Sequence, residues 1–319
     1  MRAAVVNSAD ATPVCADFPA PEPQPGRPPL SLVGVGLHHV VRGMATGRHY
    51  HSGKAFPLVP GVDAVAKTQD GRLVYTGLAR SPWGTMAETM VTPFEVDLPA
   101  GADPLAVAAG MNPASAGWMP LVAHRREAGE LGTVLVLGAT GMSGSLAVRA
   151  ALALGAKQVV AAGRDREALE RLSDLGAVTV PLADPAPNTM KTALAATLAE
   201  AQPSLILDFV WGPVAEAVFT ALSSVRPDDE SAATSYVQIG SLAGTEAALP
   251  AALLRSRRIR ITGSGMGSVS KAEMIAEFPE MITRFADGTF DASYTTYPLS
   301  RVGAAWAHQG RTRAVVVPG

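Results

Sequence analysis

One cysteine, Cys15, stands in a chain of 319 residues, and that scarcity excludes an intramolecular disulfide and any zinc lobe built from four cysteines. Such a chain suits a reducing compartment, so the expectation is a cytoplasmic protein. An excess of one charge is also missing. Against 26 Lys and Arg stand 28 Asp and Glu, a formal net charge of -2, so neither nucleic acid nor an anionic membrane surface is expected as a partner. The one local basic run, residues 255–260, is broken by Ser256 and Ile259 and reads as a solvated or helix-terminal cluster. The apolar stretch 3–6 ends at Asn7 and Ser8, too short for a signal-peptide core, so secretion is not expected. The longest uncharged run, 104–123, has the length of a membrane span. It carries Gly110, Asn112, Pro113, Gly117 and Pro120, however, and reads as a buried globular segment.

What is present is apolar mass. Hydrophobic residues make up 48% of the chain and charged ones 17%, which excludes disorder of the whole, and the length suits two domains. Short β-like runs at 3–6, 30–35, 64–67, 73–75 and 87–91 are separated by Pro, Gly and Asp, the texture of a small β-rich domain. Residues 19–29 hold six prolines and read as an extended connector. From about residue 131 apolar runs alternate with helical segments, the rhythm of parallel βαβ units. Six strands are expected, at 133–137, 158–162, 178–181, 205–209, 236–239 and 259–262, with helices between them. The tail, with a helical stretch at 271–286 and β-like pieces at 294–298 and 314–317, leaves that rhythm and is expected to rejoin the first domain. The domains are therefore placed at 1–112, 113–262 and 263–319.

The strongest signal is residues 134–147, an apolar strand running into Gly138, Ala139, Thr140, Gly141, Met142, Ser143 and Gly144 and then a helix. Glycines so spaced turn the chain tightly, let backbone N–H groups approach a pyrophosphate and let helix pack on strand, while the helix N-terminus faces the phosphates. Ala139 stands where the G-x-G-x-x-G form has its first glycine, so the motif is a variant. At the end of the next strand come Gly163, Arg164, Asp165 and Arg166. An arginine about 20 residues on accommodates a 2′-phosphate whereas an acid there binds ribose hydroxyls. Arg164 and Arg166 favour NADPH; Asp165 could serve NADH, and it also reads as the cap of the helix that begins at Arg166.

These residues, with Gly36-Leu37-His38, Pro60-Gly61-Val62-Asp63, Gly84-Thr85-Met86-Ala87-Glu88, Asp208-Phe209-Val210 and Ile239-Gly240-Ser241 in order, give a chain that resembles the medium-chain dehydrogenase/reductase superfamily. The resemblance is to its zinc-independent, quinone oxidoreductase-like branch and covers nearly the whole sequence. It implies an α/β fold in which a Rossmann doubly wound parallel sheet is inserted in a β-rich GroES-like catalytic domain. It also implies that Val210, Gly240 and Ser241 line the cofactor site near the nicotinamide, and that the protein is a homodimer joined through Rossmann edge strands, here near 259–262.

Zinc-binding members carry ligands at places that here hold His38, Val62 with Asp63, and Asn112, so no metal is expected. The expected function is metal-free hydride transfer from NADPH to a quinone or to the β-carbon of an α,β-unsaturated carbonyl. Tyr50, His38 and Asn112 are the candidates for polarising the acceptor oxygen or delivering a proton. His38, His39, His49 and His51 gather in one stretch without the spacing of a helix-borne metal pair. Two alternatives stay open: a zinc-free alcohol or carbonyl reductase, and a non-catalytic NADPH-binding sensor or partner-binding module.

Overall fold

The computed structural model describes residues 1–47, 55–182, 187–226 and 232–319. The chain divides into two compact units, Met1–Pro113 with Ala272–Gly319, and Ala114–Lys271. The sequence boundaries stand at 112/113 and 262/263. Residues 263–271 group with the second unit, and the Ser264 N–H is tied to the Gln238 carbonyl at 2.9 Å.

The first unit begins with β1 (Arg2–Val5), β2 (Val14–Asp17), β3 (Leu30–Gly36), α1 (His39–Ala45), β4 (Asp63–Lys67), β5 (Leu73–Gly77), β6 (Thr89–Met90) and β7 (Glu95–Asp97). Helix α2 (Pro104–Ala128) follows and carries the chain across the boundary between the units. Glycines in β3 are forced by its approach: a Cβ on Gly34 would lie 2.6 Å from the Leu105 side chain and one on Gly36 2.3 Å from the Ala108 carbonyl. The run 104–123, read from sequence only as a buried segment, is thus part of one 25-residue helix with Trp118 fully buried. Among the described residues no helix is long and apolar enough to cross a membrane.

The second unit alternates strand and helix: β8 (Thr133–Leu137), α3 (Met142–Ala153), β9 (Gln158–Gly163), α4 (Arg166–Asp174), β10 (Val178–Pro181), α5 (Pro187–Ala201), β11 (Leu205–Asp208), α6 (Gly212–Ser224), β12 (Thr234–Gln238), α7 (Ala251–Ser256) and β13 (Ile259–Gly263). The strands form one parallel sheet in the order β10-β9-β8-β11-β12-β13, the doubly wound Rossmann order. Residues Val134–Leu137 are each 0% exposed, which is why β8 reads as an unbroken apolar run rather than an alternating one.

The tail returns to the first unit through α8 (Lys271–Ala286), β14 (Tyr294–Pro298), α9 (Val302–Trp306) and β15 (Arg313–Val317). Its strands join the larger β-sheet of that unit, ordered β14-β15-β3-β4-β5-β7, with β6 on β3. The α/β class and the β-rich partner unit expected from sequence are both present.

Leu135 lies at the centre of the parallel sheet and in the core shared with Ile206, Phe219 and Tyr236. Leu135→Ala is expected to lower the unfolding free energy by about 2–5 kcal/mol, the usual result of a cavity in a packed core. Denaturant unfolding followed by circular dichroism measures it, and an unchanged midpoint would contradict this packing.

Candidate functional site

In a doubly wound sheet the ligand crevice lies beyond the carboxyl ends of the strands where strand order reverses, here between β8 and β11. Gly138 follows β8 at that point. Its φ of +84° is the left-handed region, and a Cβ there would lie 2.8 Å from the Val210 side chain and 3.4 Å from Phe209 Cβ. A Cβ on Gly144 would meet the Gly138 carbonyl at 2.3 Å, so the first turn of α3 packs directly on the strand exit. Gly141 differs from both. A Cβ there would meet nothing closer than 3.6 Å, and the residue is exposed. Glycines 138 and 144 are thus required by the chain's own packing, while position 141 leaves the backbone open to something outside it.

Gly141 is also the N-cap of α3, and no side chain caps that helix. The first-turn N–H groups of a helix have no intrahelical acceptor, and with the helix dipole they favour an anionic group. Met142 and Ser143 follow in this first turn, both half-buried. The donor set therefore fits a pyrophosphate.

The end of β9 lies beside this turn. A Cβ on Gly163 would lie 2.4 Å from Thr140 Cγ2, so the two strand exits are in contact. Arg164 and Arg166 are exposed, and among the described residues neither is held in an ion pair. Asp165 is the N-cap of α4, its carboxylate accepting from the Ala168 N–H at 3.2 Å. The cap expected from sequence is there.

The exits of β11 and β12 close the same end of the sheet. A Cβ on Gly240 would lie 2.4 Å from the Phe209 carbonyl, and the Ala243 N–H donates to the Val210 carbonyl at 2.8 Å. Val210 and Gly240 are half-buried and Ser241 is exposed. Behind them is Asp208, 0% exposed, which sequence reasoning did not single out. Its carboxylate accepts from the Val210 N–H at 2.8 Å, the Trp211 N–H at 2.9 Å and the Tyr236 hydroxyl at 2.5 Å. Burial pushes the Asp208 carboxyl up, opposed by the hydrogen bonds from Trp211, Tyr236 and Val210. Burial, followed by the Asp208 charge and hydrogen bond, pushes the Tyr236 hydroxyl far above its usual range. The available signal was an aspartate ending an apolar strand, but its donors come partly from a residue 28 positions on.

All the expected cofactor residues, Gly138, Thr140, Gly141, Met142, Ser143, Gly144, Gly163, Arg164, Arg166, Val210, Gly240 and Ser241, therefore belong to the second unit and to the carboxyl ends of four adjacent strands. The opposite ends carry a separate cavity lined by His124, Ser204, Thr234, Arg258 and Arg260, which has no glycine-spaced helix entry.

The candidate acids fare differently. Tyr50, with His49 and His51, lies outside the described residues. Asn112 is half-buried on α2 and already engaged in a polar or electrostatic interaction. His38 is 2% exposed, with both ring nitrogens buried and without a hydrogen bond, and its Nε2 is 3.3 Å from Asp63 Oδ1. Asp63 Oδ2 accepts from the Tyr75 hydroxyl at 2.9 Å. The His38 ring, a candidate for polarising the acceptor oxygen or delivering a proton, is thus enclosed with Asp63 beneath Gly36, where a Cβ would lie 2.5 Å from its Cε1. Burial, then the charges of Arg313, Arg42 and His38, hold the neighbouring His39 below the usual histidine range. Among the described residues no three His, Cys, Asp or Glu side chains converge as a metal-binding group.

No known family model matches the chain. A curated relative, the probable NADPH-dependent quinone reductase tdiC of Emericella nidulans, is 31% identical, with 93% of this chain and 95% of that protein covered. Among solved structures, the quinone oxidoreductase of Thermus thermophilus, also determined with NADPH, is 23% identical with a TM-score of 0.78, covering 99% of this chain and 100% of that one. An alcohol dehydrogenase superfamily protein of Novosphingobium aromaticivorans is 22% identical with a TM-score of 0.79 and full coverage of both chains. These structures share the fold.

Arg164→Ala removes a cation from the end of β9 without touching the core. It is expected to weaken NADPH binding by roughly tenfold or more, the loss of about 1.5–3 kcal/mol in a charge-assisted contact, and to leave NADH binding nearly unchanged. Fluorescence titration of both nucleotides measures this, and parallel weakening of the two would take the discrimination away from Arg164.

Proposed function

Because the chain belongs to the medium-chain dehydrogenase/reductase superfamily, in its quinone oxidoreductase branch, we propose that it is an NADPH-dependent enzyme acting on a quinone or an α,β-unsaturated carbonyl. The observation that carries this reading is the turn at 138–144, built at the strand-order switch with an uncapped helix start and an open Gly141. In it, the backbone from Gly138 to Gly144 with Thr140 receives the pyrophosphate. Arg164 and Arg166 receive the 2′-phosphate beside Gly163. Val210, Gly240 and Ser241 border the nicotinamide. NADPH supplies the hydride when bound.

The protein's share is orientation, exclusion of water and hydrogen-bond donors toward the acceptor oxygen, where negative charge grows as hydride arrives. One hydride and one proton convert an enone to the saturated carbonyl, and a quinone takes a hydride and a proton to reach the hydroquinone. Tyr50 and Asn112 are proposed for polarising that oxygen or passing the proton, with His38 confined to support through Asp63. The reading is zinc-free on the chemistry of the donor set: His38 and Asp63 already face one another, while Val62 and Asn112 replace good ligands at the family's other positions. A cytoplasmic homodimer belongs to the same proposal. Edge strand β13 pairs only with β12 among the described residues, and Leu242, Leu249, Leu254 and Met266 lie exposed in the chain around it.

NADPH consumption against a quinone, an enone and a saturated ketone, with chelator throughout, tests the reaction. Turnover with the quinone or enone is expected; turnover with the ketone alone would make the protein a carbonyl reductase, and silence with bound NADPH would favour a binding module. Tyr50→Phe is expected to lower turnover by roughly tenfold to a hundredfold while leaving NADPH affinity intact, and unchanged turnover would remove it from the mechanism. Sedimentation at working concentration is expected to give a two-chain species, and a monomer would reject the dimer.

A further inference from the structure

We infer that Asp208, acting with Tyr236, is a positioning residue that holds the loops after β11 and β12 in the shape the nicotinamide half of the cofactor requires. The inference rests on the proposed reading that Val210, Gly240 and Ser241 border the nicotinamide.

The geometry converges on one carboxylate. Asp208 Oδ1 accepts both the Val210 and Trp211 N–H groups, which folds the first loop back on the end of its own strand. Asp208 Oδ2 accepts the hydroxyl of Tyr236, from the neighbouring strand β12. Its main-chain carbonyl accepts the Ile239 and Gly240 N–H groups at 2.7 and 3.1 Å, so the second loop starts from the same residue. Gln238 Nε2 donates to the Gly240 carbonyl at 2.9 Å, and the Ala243 N–H to Val210 closes the pair. Each of the two loops is thus tied to Asp208 and then to the other.

This arrangement holds a conformation the chain would not otherwise choose. Trp211 has a φ of +58°, in the region that favours glycine, and Gly212 follows with the same φ. The Trp211 N–H is held by Asp208, and its ring packs edge-on against Phe219 at 5.8 Å and Tyr236 at 6.2 Å. Tyr236 therefore both donates to the carboxylate and walls the tryptophan that the carboxylate holds.

Three donors face Asp208, and its two side-chain oxygens accept all of them. An amide could not replace it. Asn at 208 would offer one oxygen and one NH2, and the NH2 would have to face either the two backbone N–H groups or the Tyr236 hydroxyl, leaving a buried donor without an acceptor. The position requires an acid for its acceptors, although the acid touches no reactant.

The test separates the two halves of the cofactor. Wild type, Asp208→Asn and Tyr236→Phe are titrated with NADPH and with adenosine 2′,5′-bisphosphate, which carries only the adenosine half, and turnover is measured with the acceptor accepted by wild type. Asp208→Asn is expected to lower kcat by roughly tenfold to a hundredfold and to weaken NADPH by about fivefold or more, because displaced contacts degrade hydride geometry. Binding of the bisphosphate should stay within about twofold of wild type, since the 138–144 turn and Arg164 are untouched. Tyr236→Phe keeps both N–H bonds and the ring packing, and should show the same pattern at roughly a third of the size on a logarithmic scale, about one donor in three. It supplies the answer if the Asn variant does not fold. Turnover and NADPH affinity at wild-type levels in a folded variant would overturn the inference, as would parallel weakening of both ligands, which marks a general structural role. A wild type that binds neither ligand would instead overturn the cofactor reading beneath it.

Discussion

Close approach of main chain to main chain at the carboxyl end of the parallel sheet is the constraint on which the candidate site depends. At 138, 144, 163 and 240 a Cβ would lie within 2.3–2.8 Å of a neighbouring strand exit or side chain, so each must be glycine for the four exits to meet. Parallel order sets this demand. With β8 and β11 adjacent and their crossovers leaving on opposite sides, the chain must turn sharply away from the sheet at neighbouring points. What the packing leaves free, at Gly141 and the uncapped start of α3, is the segment that the proposed function assigns to the phosphates of the cofactor.

The same end of the sheet contains the most demanding buried group of the unit. A carboxylate at 0% exposure is stable only if its lost hydration is replaced, and Asp208 is supplied with three donors, two from the loop after β11 and one from strand β12. A backbone outlier such as Trp211 costs about 1–3 kcal/mol and persists only where its surroundings over-determine it. Both features fall on the segment that the proposed function places against the cofactor. In the first unit Asp63 is supplied differently: its Oδ2 accepts the Tyr75 hydroxyl, while its Oδ1 and the His38 Nε2 3.3 Å away lack a hydrogen bond.

Much of the fold was legible because its signals are local. The six parallel strands, the glycine turn and helix α8 at Lys271–Ala286 all appear as runs or periods within a few residues. Helix α2 was not legible to the same degree. Pro113 and Pro120 read as interruptions, yet both lie within its 25 residues, where packing of residues such as Trp118, Leu121 and Met111 outweighs local preference. Helix α1 has only seven residues, too few for a period to show.

By itself the sequence determined where the glycine-spaced turn lies, that Asp165 caps the helix after the next strand and that Arg164 stands between that strand and its helix, because spacing along one short segment specifies each of these. Tertiary structure alone decided that His38 is enclosed and that Asp208 joins two loops. His38 meets Asp63 across 25 positions and Asp208 meets Tyr236 across 28, and contacts of that span arise from strand pairing and burial, which no local pattern encodes.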